Sequence, residues 1–157
     1  MIPLIDLKAQ YRALKPEIDA AIQGILDSAG FIGGPPVAEF ERAWARYCEA
    51  PAAVGVANGT AALHLALCES GIRPGEEVVT VSHTFIATAE VARQCGATVK
   101  MVDIDPITYC MDPQALAAAI GPRTRVVIPV HLYGHPAPMD EIGDICSRQG
   151  LFVIEDA

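Results

Sequence analysis

The sequence predicts an α/β fold in which helices flank a mainly parallel β-sheet. Three observations predict it. From about residue 53 onward, short apolar runs alternate with segments of helical periodicity, which is typical of parallel strands joined by helices. About half of the 157 residues are hydrophobic (52%), which is enough to build the core of one domain. A glycine follows each predicted helix of this part, as helix C-termini favour; the four are Gly71, Gly96, Gly121 and Gly150.

Two helices are predicted before this alternation begins. The first begins near Pro16 and has four apolar residues on one face: Ile18, Ile22, Ile25 and Leu26. The second begins at Pro36, since proline in a first helical turn lacks only an N–H that would have no partner there. The glycine-rich residues 30–35 join the two helices and are the best candidate hinge. We therefore divide the chain into an N-terminal arm and helix, residues 1–35, and a domain that covers residues 36–157.

Predicted strands and helices alternate over the rest of the chain. The predicted strands are residues 53–57, 78–81, 98–102, 125–130 and 151–154. The predicted helices are residues 60–70, 85–95, 112–120 and 138–149. Pro129 is placed near the end of its strand because proline cannot donate to a β-ladder. A crossover helix normally covers a buried parallel strand, and none follows residue 154, so we expect the sheet to be incomplete at the C-terminus.

The charge and composition exclude several classes of function. The chain has 11 basic and 19 acidic residues and a net charge of −8, whereas nucleic-acid binding needs clustered Lys and Arg. An anionic small molecule remains possible, because one or two arginines suffice to bind it. The sequence contains no recognisable signal peptide and no apolar stretch that could span a membrane. We therefore expect a cytoplasmic protein.

The cysteines predict neither disulfides nor a metal site. No two of them have the CxxC spacing, and no set of histidine, cysteine and carboxylate residues has the spacing of metal ligands. We expect reduced thiols, as in most cytoplasmic proteins. The five cysteines are Cys48, Cys68, Cys95, Cys110 and Cys146.

Polar residues concentrate where the predicted strands end. In open α/β sheets, ligands bind outside the carboxyl ends of the strands. Any one of these residues could equally be part of a loop or a helix cap, but the set together predicts a binding site at this edge. The residues are Asn58, Gly59, Thr60, Ser82, His83, Thr84, Phe85, Asp103, Asp105, His131, Glu155 and Asp156.

The tetrapeptide Asn58-Gly59-Thr60-Ala61 joins a predicted strand to a helix and could bind a phosphate. Gly59 has no Cβ, so an anion can approach the backbone. The N–H groups of Thr60 and Ala61 and the positive end of the helix favour such an anion. The alternative is an ordinary helix cap at Asn58 or Thr60, because short motifs often arise by chance.

Four further residues at strand ends are candidates for the site. Phe85 could stack on a planar cofactor ring, or it could be a core phenylalanine. Asp156 follows an apolar strand, where a carboxylate needs a positive partner; a protonated pyridine nitrogen would serve, and the alternative is a helix N-cap. His131 is expected to be a buried, hydrogen-bonding histidine rather than a substrate contact. The role of His83 is left open.

Six strings in one order resemble the DegT/DnrJ/EryC1/StrS aminotransferases. They are NGTAALHLAL at residues 58–67, PGEEV at 74–78, TFIATA at 84–89, VDIDP at 102–106, PVHLYG at 129–134 and VIEDA at 153–157. The resemblance covers essentially the whole chain. It implies the aspartate-aminotransferase fold (fold type I of enzymes that use pyridoxal phosphate, PLP), with residues 36–157 as the first part of the PLP-binding large domain. The rest of that domain and the C-terminal domain would be absent.

The resemblance also implies the cofactor and the assembly. The cofactor would be pyridoxal 5'-phosphate, and the enzyme would be a homodimer with its active site at the subunit interface. The reaction would transfer an amino group, usually from glutamate, to the keto carbon of a nucleotide-linked sugar for a polysaccharide or a glycosylated natural product. Matched position by position, the cofactor contacts would be Gly59, Thr60 and Ala61 for the phosphate, Phe85 for the face of the pyridine ring and Asp156 for the ring nitrogen.

The lysine that forms the Schiff base in this family would lie beyond Ala157. Lys8, Lys15 and Lys100 do not match its position, and a lysine elsewhere cannot replace it. We therefore assign no catalytic residue and expect the 157 residues alone to be inactive. Two alternatives stay open: a PLP-dependent sugar dehydratase of the same family, with histidine in place of that lysine, and a non-catalytic remnant if the 157 residues are the full product.

Overall fold

The computed structural model describes residues 5–157, so residues 1–4 of the predicted N-terminal arm lie outside the described residues. Four strands form one sheet: β1 Glu77–Val81, β2 Thr98–Val102, β3 Thr124–Ile128 and β4 Phe152–Val153. Their order across the sheet is β2-β1-β3-β4, and every neighbouring pair is parallel. The predicted α/β fold with a mainly parallel sheet is confirmed.

Four helices accompany this sheet, and each corresponds to a predicted one. They are α3 Gly59–Glu69, α4 Ala87–Gln94, α5 Pro113–Ala119 and α6 Met139–Gln149. Asp112 caps α5 as expected, because its Oδ1 accepts a hydrogen bond from the N–H of Gln114 at 2.8 Å. Gly150 ends α6 in the left-handed conformation (φ 64°) that glycine adopts without strain. Pro129 directly follows β3, where it removes no bond from the ladder.

The helices cover both faces of the sheet. Successive residues of a strand face opposite sides, so Val78 and Val79 of β1 belong to two different apolar clusters. The cluster on one face joins β1 and β3 to α5 and α6: Val79, Val81, Val127, Leu116, Ile142 and Cys146. The cluster on the other face joins them to α3 and α4: Val78, Val126, Ile128, Leu63, Leu67 and Val91. Because both faces are buried, the carboxyl edge of the sheet is left for a ligand.

The first helix, α1, extends over Leu7–Ser28. The prediction that it begins near Pro16 was wrong, because Pro16 lies inside the helix. The helix begins instead after Asp6, whose Oδ1 accepts a hydrogen bond from the N–H of Ala9 at 2.9 Å. The stabilisation that an N-cap earlier in the chain provides thus outweighs the loss of the one backbone hydrogen bond that the proline cannot donate.

Three side chains of α1 form a network across the turn that contains Pro16. The hydroxyl of Tyr11 donates a hydrogen bond to Oδ1 of Asp19 at 2.7 Å, and the ammonium group of Lys15 binds the same carboxylate. The hydrogen bonds from Lys15 and Tyr11 hold the pKa of Asp19 below its ordinary value. These contacts link residues on either side of the proline, which helps to explain why the helix continues through it.

The second helix, α2, extends over Pro35–Tyr47 and begins next to the predicted start at Pro36. The prediction of a strand at residues 53–57 was wrong, because this segment has no ladder partner within residues 5–157. A short apolar run becomes a strand only where a neighbouring strand accepts its backbone hydrogen bonds. Here the segment binds α2 instead: the N–H of Gly55 donates to Oε1 of Glu41 at 2.7 Å.

Contacts between the described residues group them into two compact units, residues 5–55 and residues 56–157. The sequence instead suggested a division between residues 35 and 36. The difference arises because α2 and the segment that follows it contact each other, as the bond between Gly55 and Glu41 illustrates. Which division corresponds to a folding domain stays a prediction.

None of the helices between residues 5 and 157 combines the length and hydropathy that a membrane span requires.

Candidate active site

A pocket of about 260 Å³ lies within the second unit and brings together residues from three separate stretches of the chain. They come from the beginning of α3, the beginning of α4 and the segment that follows β4. The lining residues are Gly59, Thr60, Leu63, Phe85, Ala87, Thr88 and Asp156. Four of the five predicted cofactor contacts therefore share one cavity; Ala61, the fifth, does not line it. Their roles stay predictions.

The N-terminus of α3 combines a side-chain cap with free backbone N–H groups. Oδ1 of Asn58 accepts a hydrogen bond from the N–H of Ala61 at 2.9 Å, so the alternative of an ordinary cap at Asn58 is realised. Within residues 5–157, the N–H groups of Gly59 and Thr60 have no hydrogen-bond partner. Nothing lies within 4 Å of the position where a Cβ of Gly59 would stand. Two unpaired backbone donors therefore lie at a positive helix end beside the open space at Gly59, which suits an anion.

Ala61 differs from its two neighbours. Its N–H already donates to Asn58, so it could bind an anion only by sharing or giving up the cap. Of the three residues matched to the phosphate, Gly59 and Thr60 are the ones whose backbone donors are available.

Asp156 is fixed by backbone pairing that continues beyond β4. Its N–H donates to the carbonyl of Pro129 at 3.0 Å, and its carbonyl accepts from the N–H of His131 at 2.9 Å. These bonds form an isolated parallel bridge between Val130 and Asp156. The carboxylate is half-buried at the end of the sheet, and no lysine, arginine or histidine of the described part of the chain forms an ion pair with it. A carboxylate in this position suits a cationic ligand.

Thr88 is the polar pocket residue that the sequence reasoning missed; the other two, Leu63 and Ala87, are apolar. Its hydroxyl is fully buried and donates to Oδ2 of Asp156 at 2.5 Å. A hydroxyl has one proton, so Thr84 must donate the 3.1 Å hydrogen bond between the two threonine hydroxyls. The signal in the sequence was the spacing: Thr88 follows Phe85 by three residues, and in the structure its N–H donates to the carbonyl of Phe85 at 3.2 Å in the turn that begins α4.

Phe85 is not a core residue, so that alternative is excluded. Its ring is 73% exposed at the mouth of the pocket. An exposed aromatic ring beside a carboxylate and a helix N-terminus is available to stack on a planar ligand.

His131 has both ring nitrogens occupied. Nδ1 accepts a hydrogen bond from the N–H of Ala137 at 3.0 Å, so the neutral ring carries its proton on Nε2 and donates it to Oε2 of Glu155 at 2.9 Å. The ring is mostly buried. The structure therefore has His131 as a hydrogen-bonding histidine that links the loop after β3 to the segment after β4.

An aromatic cluster occupies the loops after β1, β2 and β3, and it consists of His83, Tyr109 and Tyr133. Ring centroids lie 5.8 Å apart for His83 and Tyr109 and 6.2 Å apart for the two tyrosines. The hydroxyl of Tyr133 is 3.3 Å from Nε2 of His83. Both tyrosines have left-handed backbone conformations, with φ of 60° and 57°, which are costly for a residue with a Cβ. Sequence reasoning named His83 but neither tyrosine.

The aromatic cluster presents its rings to solvent. Tyr133 is 80% exposed and Tyr109 is 46% exposed. Consecutive loops of a parallel sheet meet at its carboxyl edge, and Phe85 follows His83 by two residues. The cluster therefore belongs to the same edge of the sheet as the pocket.

Comparisons with known proteins agree with this geometry. Residues 12–157 match the model of the DegT/DnrJ/EryC1/StrS aminotransferase family. The chain is 48% identical to UDP-2-acetamido-2-deoxy-3-oxo-D-glucuronate aminotransferase from Pseudomonas aeruginosa, over 100% of this chain and 44% of that protein. Against the crystal structure of DesV from S. venezuelae in complex with a ketimine intermediate, the TM-score is 0.96 at 47% identity, over 99% of this chain and 42% of that one.

A more distant relative catalyses a different reaction. The structure of E. coli GDP-4-keto-6-deoxy-D-mannose-3-dehydratase with bound hydrated PLP gives a TM-score of 0.83 at 30% identity, over 88% of this chain and 37% of that one. The chain thus spans about two fifths of the length of the relatives it matches. Because the family model covers almost the whole chain, the chain belongs to the DegT/DnrJ/EryC1/StrS aminotransferase family.

Proposed function

We propose that this chain forms the cofactor-binding part of a pyridoxal phosphate-dependent aminotransferase that acts on a nucleotide-linked keto-sugar, with glutamate as the amino donor. The observation that carries the proposal is the pocket in which Asp156, Phe85 and the N-terminus of α3 meet. Each of the three suits a different part of one flat, charged molecule. The similarity to an aminotransferase of a UDP-linked 3-oxo sugar acid supports the same class of reaction.

The residues present fit pyridoxal phosphate by their chemistry. The N–H groups of Gly59 and Thr60 are free and lie at a positive helix end, which suits the phosphate. Asp156 offers a carboxylate without a cationic partner, which suits a protonated pyridine nitrogen. Phe85 offers an exposed ring face, which suits the flat side of the pyridine. A phosphate-binding helix end, a carboxylate and an aromatic face within one pocket are what this cofactor requires.

When bound, the cofactor would supply an electron-withdrawing ring that stabilises negative charge at the reacting carbon. Asp156 would accept a hydrogen bond from the pyridine N–H and so keep the proton on that nitrogen. Thr88 donates to Oδ2 of Asp156, so Oδ1 would be left for the pyridine. Because Thr88 is buried and also accepts from Thr84, the carboxylate is held in one orientation before a ligand arrives.

Phe85 and the aromatic cluster would contribute binding rather than proton transfer. Phe85 would cover one face of the ring and exclude water from it. His83, Tyr109 and Tyr133 would bind the substrate above the pocket, because tyrosine rings combine an apolar face with a hydroxyl, as sugar recognition requires. The hydroxyl of Tyr133 is 3.3 Å from Nε2 of His83, which orients both rings.

We further propose that the intact protein is a cytoplasmic homodimer that serves the synthesis of a polysaccharide or a glycosylated natural product. Exposed aromatic residues on α2 support self-association. Phe40, Trp44 and Tyr47 stack along this helix with ring centroids 5.9 and 5.6 Å apart, and they are 58%, 50% and 81% exposed.

A dehydratase is the second candidate, because one structural relative is a sugar 3-dehydratase. The lower identity to that relative, 30% against 48% for the aminotransferase, favours amino transfer.

The test uses the intact protein with pyridoxal phosphate, glutamate and a panel of UDP- and dTDP-linked keto-sugars. We expect bound cofactor in the visible spectrum, 2-oxoglutarate as a product and an amino-sugar by mass spectrometry. Asp156→Asn should abolish turnover, whereas Asp140→Asn, which removes the same charge from an exposed position on α6, should not change it. A deoxygenated sugar without incorporated nitrogen would instead identify a dehydratase, and absence of cofactor binding would overturn both candidates.

A further inference from the structure

A histidine and two cysteines meet between α3 and α4, outside the pocket described above. His64 and Cys68 are four residues apart and therefore lie on one face of α3, and Cys95 immediately follows α4. The ligand atoms of all three side chains lie within 4.8 Å of one another. We propose that His64, Cys68 and Cys95 form a binding site for Zn²⁺ or a similar thiophilic divalent ion.

The distance between the two sulfur atoms fits a metal ion. The Sγ atoms of Cys68 and Cys95 are 3.8 Å apart. In a tetrahedral zinc site with Zn–S distances of about 2.3 Å, two thiolate sulfurs stand about 3.8 Å apart. A disulfide would bring them to about 2.05 Å, and both thiols are free in the structure. The sulfurs therefore already have the spacing that a shared ion requires.

The site is open to an ion from solution. Cys68 is exposed, and His64 and Cys95 are half-buried. Three protein ligands leave a fourth tetrahedral position for water or another ligand. Two thiolates would neutralise the charge of a divalent ion, and the chain as a whole is acidic, with a net charge of −8, so no excess positive charge repels the ion.

Binding would exchange protons for the metal. Burial, and the contact with Cys68, raise the pKa of the Cys95 thiol. One Zn²⁺ would form two Zn–S bonds and one Zn–N bond to the imidazole of His64, and each thiol that binds as a thiolate would release its proton to water or buffer. No electron is transferred in this step.

The position of the site links it to the pocket. The helix that carries His64 and Cys68 begins with Gly59 and Thr60, and α4, which Cys95 follows, has Ala87 and Thr88 in its first turn. Both helix N-termini line the pocket. An ion shared by the two helices would fix their relative position and so stabilise the arrangement of the pocket residues. The spacing of these three residues in the sequence did not predict the metal site, because Cys95 follows α4 whereas His64 and Cys68 lie on α3.

The site can be tested on the intact protein, freed of metal and kept in a non-thiol reductant. We expect one equivalent of Zn²⁺ to bind, one equivalent of Co²⁺ to give thiolate-to-metal absorption, and the melting temperature to rise with Zn²⁺. Each of Cys68→Ser, Cys95→Ser and His64→Gln should weaken binding at least about tenfold, because even loss of an outer-shell partner costs that much. Cys48→Ser removes an exposed thiol elsewhere and should leave binding unchanged.

Two results would overturn the proposal. The first is Zn²⁺ affinity that is the same in all four variants. The second is absence of Zn²⁺ binding by the reduced protein; a disulfide between Cys68 and Cys95 on mild oxidation would then make the pair a redox site instead. His64→Gln changes a half-buried, not a core, residue, so it keeps the test decisive if a cysteine variant fails to fold.

Discussion

The hydroxyl of Thr88 donates a hydrogen bond to Oδ2 of Asp156 at 2.5 Å, although the two residues are 68 positions apart in the chain. Thr88 belongs to α4 on one side of the sheet, whereas Asp156 continues the backbone pairing with the segment after β3. The bond therefore fixes a carboxylate from a strand end by a hydroxyl from a neighbouring helix. Its function, in our proposal, is to orient the group that meets the pyridine nitrogen.

Thr88→Val should weaken cofactor binding without unfolding the protein. Valine has nearly the shape of threonine but lacks the hydroxyl, and a hydrogen bond to a charged group contributes about 1.5–3 kcal/mol, which corresponds to a loss of affinity of about tenfold or more. Thr88→Ser keeps the hydroxyl and should restore most of the affinity. The measurement is a titration of the cofactor-free protein with pyridoxal phosphate, followed by visible absorbance.

Thr80→Val is the matched control for this change. Thr80 is also fully buried, and its hydroxyl donates to the carbonyl of Ile128 at 2.8 Å, but it does not line the pocket. We expect it to lower the free energy of unfolding by about 1 kcal/mol or more and to leave the cofactor affinity of the folded protein unchanged. Equal losses of affinity in Thr80→Val and Thr88→Val would contradict the orienting role of Thr88.

Gly59→Ala should weaken binding of the cofactor phosphate while leaving the stability of the protein nearly unchanged. The backbone of Gly59 is not in the left-handed region, and nothing lies within 4 Å of the added Cβ, so the protein should fold with a stability changed by less than about 1 kcal/mol. The methyl group would project where an anion approaches the N–H groups. We therefore expect weaker binding of pyridoxal phosphate and unchanged binding of pyridoxal, which has no phosphate.

Gly143→Ala provides the comparison for Gly59→Ala. Gly143 lies inside α6, also with nothing within 4 Å of an added Cβ, and alanine there should stabilise the helix by about 0.5–1 kcal/mol. Cofactor binding should not change. If Gly59→Ala bound pyridoxal phosphate as tightly as Gly143→Ala does, the N-terminus of α3 would not be the phosphate site.

The sheet and its helices were predictable because local signals agree with the fold from residue 59 onward. Alternating apolar runs, the Asp112 cap and the glycine after α6 each act within a few residues of one another, and the structure repeats them. The segment at residues 53–57 has the same apolar composition but no strand partner among the described residues, and pairing is not a local property. Likewise, Pro16 suggested a helix start, whereas the cap at Asp6 decided it.

The candidate site was predictable only as a set of strand-end residues. That rule found Gly59, Thr60, Phe85 and Asp156 because every parallel strand ends at the same edge. It could not find Thr88, whose importance rests on one contact with a residue far along the chain. Nor could it find the left-handed conformation of Tyr109 and Tyr133, since neither is a glycine or asparagine, the residues that usually signal it.

The carboxyl group of Asp105 should titrate below the ordinary aspartate pKa of about 3.9. Hydrogen bonds from the N–H groups of Thr108 (2.8 Å) and Ile107 (2.9 Å) hold its pKa down because they favour the ionised form. A depressed folded-state pKa contributes stability that is fully present above the unfolded pKa and is lost as the pH falls through the folded one. The direct measurement is an NMR titration of this carboxyl group.

The free energy of unfolding of Asp105→Asn tests the same two hydrogen bonds. We expect the variant to be less stable than the wild type at neutral pH, and the difference to narrow as the pH falls below about 3.9. The turn also holds Tyr109, whose N–H donates to the carbonyl of Asp105 at 2.9 Å. Urea denaturation at several pH values provides the comparison, with Asp140→Asn as an exposed control. A difference that stays constant across the pH series would be inconsistent with the hydrogen-bonded carboxylate.

Substitution of Tyr133 by asparagine should increase the stability of the protein and weaken its binding of the substrate. Its side chain is 80% exposed and buries little apolar surface, while its φ of 57° is costly for most residues. Asparagine adopts this conformation several times more readily than most residues do, so Tyr133→Asn should raise the free energy of unfolding by up to about 1 kcal/mol. The same change removes the ring and the hydroxyl that contact His83, so the KM for the keto-sugar should rise.

Glu49→Asn distinguishes these two effects of the Tyr133 change. Glu49 also has a left-handed backbone (φ 53°), but it lies in the first unit and has no part in the aromatic cluster. Asparagine there should raise the free energy of unfolding in the same way and leave the KM for the keto-sugar unchanged. Urea denaturation and steady-state kinetics on the intact protein measure both quantities. If Tyr133→Asn gained stability without any rise in KM, the aromatic cluster would have no part in binding the substrate, and the strain at Tyr133 would need another explanation.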